Sequence, residues 1–209
     1  MIRLEREEDL WRIVIARPEK ANSLTGAMLA ECATIAERAK REGARAFVLT
    51  GEGKVFSAGA DLAEAKAGLA TDPVWERLSG AIAAMPCLTI AALNGTLAGG
   101  AFGMALACDV RISVPHANFF YPVMKLGFLP QPSDPARMVD LIGPSRTKMI
   151  LMAGQKIGAE EALAWGLIDR IIPAADMPDA VAALTADVLG ATDTHIAGIK
   201  ALFGAQIQP

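Results

Sequence analysis

Two turns rich in small residues stand where apolar, strand-like runs of the chain end. Residues 56–62 read FSAGADL, and residues 94–109 read NGTLAGGAFGMALACD. Glycine lets a ligand approach the backbone closely, and the first N–H groups of a helix have no partner inside that helix. Two such turns can direct backbone N–H groups at one carbonyl oxygen and form an oxyanion hole. The pattern therefore favours acyl chemistry.

The elements that must position these turns alternate between strand and helix periodicity. A hairpin is predicted at residues 2–6 and 10–16, a helix at 25–41 and a strand at 46–50. A helix opened by Pro73 and a buried strand at 88–93 come next. Later strands are expected at 110–113, 117–121 and 168–172, and later helices at 135–142, 145–152, 159–165, 177–189 and 195–203. This alternation predicts stacked β-β-α units.

Composition narrows the class of protein. The chain has 209 residues, 53% of them hydrophobic, and a net charge of −3. That content is sufficient for a substantial core, and the absence of a broad basic face argues against nucleic acid as a partner. No apolar run reaches the ~18 residues that a membrane span needs, and the charged start is unlike a signal peptide. We expect a cytoplasmic protein, without a membrane partner, whose three cysteines are buried thiols.

The two histidines do not indicate a metal or a hydrolase. His116 and His195 have no Cys, Asp or Glu at metal-ligand spacing, so both are expected at the surface and no metal is assigned. Ser57 and Ser133 lack a plausible histidine partner, which disfavours a Ser-His-Asp hydrolase.

Four segments carry a family resemblance. Residues 17–24, 48–62, 94–109 and 151–168 follow one another in the order and spacing of the crotonase superfamily, the enoyl-CoA hydratases and isomerases, which the chain resembles across roughly residues 2–175. The resemblance implies an α/β fold, the crotonase-like (ClpP/crotonase) spiral of stacked β-β-α units. It implies one domain over residues 1–209, with a spiral core at 1–173 and a shortened C-terminal helical region at 174–209.

The same resemblance implies a site for acyl-CoA thioesters. Mapped residue by residue, the backbone donors of the oxyanion hole fall on Ala60 and Gly100. Coenzyme A enters as part of the substrate, with no tightly bound cofactor, and the assembly implied is a homotrimer or a dimer of trimers. The backbone contacts to the CoA nucleotide fall on Lys20, Ala21, Ala58, Asp61 and Leu62.

The departures from the family pattern concern the acid and the base. The two glutamate positions of the hydratases fall on Gly103 and Val123, so the usual two-glutamate hydration is not expected. A proline-rich loop supplies Asp134 as the first candidate base, and the alternative for Asp134 is a helix N-cap. Tyr121, the only tyrosine, either donates a hydrogen bond into the cavity or packs in the core.

Two further carboxylates lie beside the first turn. Asp61 is expected to cap the helix that follows it, and Glu64 is expected to face solvent. The sequence as a whole predicts an acyl-CoA thioester enzyme, a lyase or isomerase that stabilises a thioester enolate with a non-standard acid or base. Decarboxylation of the acyl group stays open. The alternative is a catalytically impaired subunit of the same fold that binds CoA esters or has a structural role.

Overall fold

The computed structural model describes residues 1–204. Its larger sheet is almost wholly parallel, and only the first two strands form an antiparallel hairpin, which confirms the hairpin predicted from sequence. Within the described residues this sheet has six strands in the spatial order β1-β2-β3-β5-β7-β10. They are β1 (Ile2–Glu7), β2 (Leu10–Ile15), β3 (Ala46–Gly51), β5 (Leu88–Leu93), β7 (Val110–Ser113) and β10 (Arg170–Ile171).

A smaller sheet lies beside the larger one and takes the intervening strands. Over residues 1–204 it has four, in the order β4-β6-β8-β9, and β4, β6 and β8 run parallel. They are β4 (Val55–Ser57), β6 (Thr96–Ala98), β8 (Asn118–Phe120) and β9 (Ile157–Gly158). Successive strands such as β3 and β4 therefore enter different sheets before a helix returns the chain. This is the predicted spiral of β-β-α units.

Helices separate the turns of the spiral and close its end. Thr25 precedes the first of them, and its hydroxyl oxygen accepts a hydrogen bond from the Met28 N–H at 3.2 Å. The helices of the described chain are α1 (Gly26–Arg41), α2 (Leu62–Lys66), α3 (Val74–Ala83), α4 (Phe102–Leu106), α5 (Val123–Leu126), α6 (Asp134–Leu151), α7 (Ala159–Trp165), α8 (Met177–Gly190) and α9 (Asp193–Gly204).

The helices expected at 135–142 and 145–152 are both present. They are the two parts of α6, separated at Gly143, whose φ of +78° breaks the helical path. Several other predicted ends shift by one or two residues, and the strand expected at 168–172 is a strand only at Arg170–Ile171, where it pairs with β7. The length of this short strand depends on its pairing, which periodicity does not report.

The core lies between the sheets and the helices. Trp11 and Phe47 are fully buried, and all three cysteines are buried as free thiols, as the sequence predicted. Burial raises the pKa of the Cys32 and Cys108 thiols to about 12, so both are uncharged near neutral pH. Because β4 and β6 are parallel neighbours, their carboxyl ends meet at one edge of the smaller sheet. Both small-residue turns follow these ends.

Candidate active site

The two turns contact each other at the glycines. Gly59 has a φ of +90°, and a Cβ placed on it would lie 2.9 Å from the Ala98 carbonyl oxygen and 3.5 Å from the Gly100 nitrogen. A side chain at 59 would therefore push the turns apart, and the left-handed φ also favours glycine. The two small-residue turns therefore lie side by side.

The backbone N–H of Ala60 points away from Leu24, the residue that pairs with Ala60 in an isolated β-bridge. Leu24 bridges residue 60 by donating to the Gly59 carbonyl and accepting from the Asp61 N–H, both at 2.8 Å. Peptide groups alternate in direction along an extended chain, so the N–H of Ala60 faces the opposite side. No backbone hydrogen bond within residues 1–204 uses it.

Within residues 1–204, the backbone N–H of Gly100 lacks a partner for a different reason. Gly100 is the second residue of a 3-10 turn, Gly99–Ala101, and the first N–H groups of such a turn have no partner inside it. The ring of Trp75 packs against Gly100, and its atoms lie 3.3 Å from the position that a Cβ on Gly100 would take. The Trp75 indole N–H donates to the Leu69 carbonyl at 2.8 Å, which fixes the ring as a rigid backing for the turn.

Ala60 and Gly100 line the same pocket. Its wall is mostly apolar, and Leu62 and Leu129 at its rim are 75% and 84% exposed. Tyr121 is the one ionisable side chain among its lining residues in the described part of the chain. The lining residues are Ala58, Ala60, Leu62, Ala65, Ala70, Trp75, Gly99, Gly100, Tyr121, Pro122, Val123, Leu126, Phe128, Leu129 and Gln131.

The residues assigned to the CoA nucleotide lie in two segments that contact each other at the first turn. The Ala58 N–H donates to the Ala21 carbonyl at 3.0 Å, and Arg17 forms an ion pair with Asp61 at 2.9 Å. Lys20 is exposed at the end of the short turn Pro18–Lys20. The segments around residues 20 and 60 therefore form one continuous surface that includes Leu62.

Asp61 caps α2, as the sequence predicted. Its Oδ1 accepts from the Ala63 N–H at 3.0 Å. The hydrogen bond from Arg17, followed by the one from the Ala63 backbone, lowers the pKa of this carboxyl. The carboxylate therefore stays charged at neutral pH and joins α2 to the segment before α1.

Glu64 does not simply face solvent, so that prediction was wrong. Its Oε2 accepts from the Gly26 N–H at 2.7 Å. Gly26 is the first residue of α1, whose early N–H groups lack partners within the helix and attract a carboxylate. Glu64 therefore links α2 to the start of α1.

Asp134 is not a helix cap, so the cap alternative given for it from sequence was wrong. It is the first residue of α6, Ser133 occupies the preceding cap position, and no side-chain cap bond is made there. Ser133 instead donates from its N–H and its hydroxyl to Glu76 on α3, at 3.2 and 3.0 Å. The Asp134 side chain turns into the interior, where it is fully buried.

The Asp134 carboxylate lies between Tyr121 and Gly103. Its Oδ2 accepts from the Tyr121 hydroxyl at 3.0 Å, and its Oδ1 has no hydrogen-bond partner in the described residues. A Cβ on Gly103 would lie 2.9 Å from that Oδ1. Burial raises the pKa of Asp134 and Glu76 adds to the rise, while Tyr121 and Arg137 oppose it, and together these effects leave the pKa at about 7. A carboxyl of this kind exchanges its proton near neutral pH.

Tyr121 belongs to both the core and the pocket. It is 3% exposed, and its ring stacks on Phe102 with centroids 5.5 Å apart. Its hydroxyl also accepts from the Gln131 N–H at 3.3 Å. Burial, followed by the nearby Asp134 charge, raises the Tyr121 pKa above its usual range. The structure therefore shows the core role expected from sequence, and the Tyr121 hydroxyl donates to Asp134.

Sequence reasoning missed Gln131 and Glu76. Gln131 lines the pocket and donates from Nε2 to the Ala70 carbonyl at 3.0 Å, which ties the proline-rich loop to the segment after α2. Neither residue stands in a recognisable motif. Gln131 is close to Asp134 along the chain, and its carbonyl accepts from the Asp134 N–H at 3.1 Å, whereas the proximity of Glu76 depends on how α3 and α6 pack, which local spacing does not encode.

Potential metal ligands do not gather in one place in residues 1–204. There, no three His, Cys, Asp or Glu side chains are grouped closely enough to hold a metal ion. His116 and His195 are exposed, as expected. In the same part of the chain no helix is both long enough and apolar enough to cross a bilayer.

Comparison with known proteins identifies the family. The model of the enoyl-CoA hydratase/isomerase family matches residues 5–209. The chain belongs to the enoyl-CoA hydratase/isomerase family. A probable enoyl-CoA hydratase of Rhodobacter capsulatus is 35% identical over 209 residues, covering 98% of this chain and 81% of that protein. A 4-chlorobenzoyl coenzyme A dehalogenase of an Arthrobacter species is 32% identical over 208 residues, covering 95% and 75%.

Solved structures of the enoyl-CoA hydratase/isomerase family share the fold. A putative enoyl-CoA hydratase from Thermobifida fusca, solved in complex with CoA, superposes with a TM-score of 0.86 at 29% identity and covers 97% of this chain and 83% of that one. Members of the family with different reactions, a hydratase and a dehalogenase by name, are thus similar to this chain over most of its length. The family is enzymatic and its substrates are CoA thioesters.

Proposed function

We propose that the protein is an acyl-CoA thioester enzyme that stabilises a thioester enolate with the backbone N–H groups of Ala60 and Gly100. The observation that carries the proposal is the placement of these two unpaired donors in one apolar pocket. Donors held in place before the reaction stabilise the charge that develops on an oxygen without reorganising. Mutagenesis of such sites elsewhere makes one donor worth roughly 3 to 4 kcal/mol of transition-state stabilisation.

The CoA portion of the substrate is assigned to the surface outside the first turn. Backbone groups of Lys20, Ala21, Ala58, Asp61 and Leu62 contact the nucleotide in this proposal, and no other cofactor is required. The direct Ala21–Ala58 hydrogen bond and the Arg17–Asp61 ion pair support it, because they hold the two contributing segments together. The thioester carbonyl then extends past Ala58 into the pocket.

Asp134 is the proposed source of the non-standard acid or base. Its pKa of about 7 suits proton transfer at neutral pH, since a catalytic group works best when its pKa is near the working pH. Gly103 and Val123 offer no carboxyl group, so two-glutamate hydration is not part of the proposal. Removal of a carboxyl group from the acyl portion, which also yields an enolate, remains among the reactions to test.

The assembly and location follow the family resemblance. We propose a homotrimer or a dimer of trimers, with residues 1–209 forming one domain, acting in the cytoplasm. No metal, nucleic acid or membrane partner is included.

A second function is favoured by one specific observation. Asp134 is fully buried, and no carboxylate lines the pocket in the described residues. A pocket that binds the acyl group without presenting a carboxylate fits a subunit that binds CoA esters, or has a structural role, without turnover.

A substrate panel separates the two functions. The purified protein is incubated with crotonyl-CoA, a 3-enoyl-CoA and methylmalonyl-CoA, products are read by mass spectrometry, and binding of each is measured by calorimetry. Turnover is expected for the enzyme. Tight binding of all three without turnover would select the binding subunit, and no binding would leave only the fold.

The oxyanion hole is tested at Gly100. Gly100→Pro removes the N–H and should abolish thioester turnover, a loss of ~100-fold or more. Gly100→Ala is the matched control, because it adds the same Cβ against Trp75 and keeps the N–H. Circular dichroism checks that both variants are folded. Turnover in the proline variant equal to that of the alanine variant would refute the assignment.

A further inference from the structure

Tyr121 lines the pocket and also contacts the buried carboxylate of Asp134. Ala60 and Gly100 line the same pocket, whereas Asp134 is not among its lining residues and has no exposed surface. A substrate in the pocket therefore meets Tyr121 before it could meet the carboxylate. Tyr121 offers a path for a proton between Asp134 and the acyl group.

The tyrosine is held rigidly in this position. Its hydroxyl donates to Asp134 Oδ2 at 3.0 Å and accepts from the Gln131 N–H at 3.3 Å, and Phe102 stacks on its ring. Three contacts from three directions fix the phenol plane and the hydroxyl together. A proton-transfer group needs this kind of positioning to hold a productive distance from substrate.

Gly103 makes room for the carboxylate. A Cβ there would approach Asp134 Oδ1 to 2.9 Å, closer than carbon and oxygen normally pack. Any larger side chain at 103 would displace Asp134 from Tyr121. The Asp134 carboxylate on α6 therefore occupies the space that a side chain at Gly103 on α4 would fill.

The surroundings of Asp134 favour uptake of a proton. Oδ1 is buried and has no partner in the described residues, and a buried carboxylate without a full set of donors is costly when charged. The charged or titratable groups that face it are Tyr121, Glu76 from α3 and Arg137 from its own helix, while α4 contributes only Gly103. Of these, Arg137 alone carries positive charge.

We propose that Tyr121 is the catalytic acid and base that touches the acyl group, and that Asp134 is a positioning residue behind it that stores the proton. This inference rests on the proposed function, since it assigns the proton transfer that accompanies enolate formation. In this arrangement the group that faces the substrate is the Tyr121 hydroxyl instead of a carboxylate, and the Asp134 carboxylate lies behind that hydroxyl.

The proton transfer is balanced without any further reactant. The C–H bond at the acyl α-carbon breaks and its electron pair forms the enolate, whose oxygen is held by the N–H groups of Ala60 and Gly100. The proton passes to the Tyr121 oxygen while the phenol's own proton passes to Asp134 Oδ2. Reversal returns a proton to the α-carbon, or to the γ-carbon of an enoyl group, which shifts a double bond.

The single tyrosine permits a direct spectroscopic test without turnover. In protein labelled with ¹³C at the tyrosine ring carbon that bears the hydroxyl, NMR shows one tyrosine resonance, from Tyr121. We expect its shift to titrate with a midpoint near pH 7 and to lose that titration in Asp134→Asn. Butyryl-CoA should move the resonance, and free CoA should not. A resonance that is flat with pH and insensitive to butyryl-CoA would overturn the proposal.

Deuterium exchange tests the chemistry. Exchange at the α-carbon of butyryl-CoA in D₂O, followed by mass spectrometry, should fall by ~100-fold or more in Tyr121→Phe, which keeps the ring and its stacking. Asp134→Asn should lower the rate and remove the inflection near pH 7 from its pH profile. A purely structural Asp134 would lower the rate without changing the profile, and that result would overturn its role.

The outcomes separate this inference from the proposed function. If Tyr121→Phe exchanges at the wild-type rate while Gly100→Pro does not exchange, the tyrosine assignment is overturned and the oxyanion hole stands. If the wild-type protein binds butyryl-CoA without exchanging its α-protons, the enzymatic function itself fails. In that case the tyrosine resonance still reports whether the pair titrates and faces the acyl group.

Discussion

At the scale of single residues, the close approach of Gly103 to Asp134 is open to a stability test. Gly103→Ala places a Cβ 2.9 Å from Asp134 Oδ1, so the pair must separate. We expect a loss of ~1 to 3 kcal/mol in the free energy of unfolding, typical of overpacking in a core. Chemical denaturation of the variant measures it.

A matched glycine provides the control. Gly80 lies in α3, and a Cβ on it would meet nothing within 4 Å. Gly80→Ala should be neutral or stabilising by up to ~1 kcal/mol, because alanine favours the helix. Combining Gly103→Ala with Asp134→Ala should cost less than the two single changes added together, since the second removes the clash. Strict additivity would contradict the direct contact.

Sequence reasoning found some residues of the site and misread others. The two turns could be located because runs of small residues are recognisable locally, and the family resemblance then placed the donors on Ala60 and Gly100, which line one pocket in the structure. Asp134 could be selected as a candidate, yet its partnership with Tyr121, 13 residues earlier, depends on the packing of α6. The cap interpretation failed because an Asp-Pro pair describes a helix start without indicating which way the side chain turns.

At the scale of elements, periodicity predicted most helices and strands of the spiral. The helix expected at 25–41 begins at Gly26 and ends at Arg41, and the strand expected at 88–93 has those bounds. Their amphipathic or buried patterns are strong over a long window. The helices expected at 135–142 and 145–152 are likewise separated at Gly143, and the exceptions are short elements such as β10, which depend on pairing.

The short helix α2 depends on contacts outside itself, which yields a second stability test. Five residues are too few for a stable isolated helix, and Glu64 anchors this one to the Gly26 N–H at 2.7 Å. Glu64→Ala should cost ~1 kcal/mol, a value typical of lost helix-terminus interactions. Because Leu62 and Ala65 of α2 line the pocket, it should also weaken acyl-CoA binding in calorimetry.

Two variants make that test specific. Glu64→Gln keeps an acceptor oxygen for the Gly26 N–H and should lose less than the alanine variant. Glu31→Ala removes an exposed carboxylate from α1 itself and should leave acyl-CoA affinity unchanged. Equal weakening of binding by Glu31→Ala would show that α2 is not held through the Glu64 contact.

At the scale of the whole molecule, family membership and fold are shown across nearly the full chain, and relatives with the same fold are named for more than one reaction. Relatives that cover 95% or more of the chain differ in the chemistry that their names state. A shared fold fixes where a thioester can be held, and the groups around the acyl pocket determine which reaction the thioester undergoes. The buried Tyr121–Asp134 pair is therefore the feature of this chain that most needs measurement, and it should be visible in global stability.

The pH dependence of unfolding depends on the raised pKa of Asp134. In the unfolded chain this carboxyl has its ordinary pKa of 3.8, and in the folded protein burial raises the pKa to about 7. Between these values the folded state holds the extra proton, so stability falls as pH rises. The contribution is fully present below pH 3.8 and is lost as pH passes through about 7.

Comparing wild type with Asp134→Asn isolates this contribution, because other carboxylates such as Asp61 titrate in both proteins. The stability of wild type relative to the variant should decline by as much as about 4 kcal/mol between pH 4 and pH 7.5 and then level off. Urea denaturation at half-unit pH steps measures the difference. A flat difference would mean that Asp134 is charged in the folded protein throughout, and that the buried pair cannot store a proton at neutral pH.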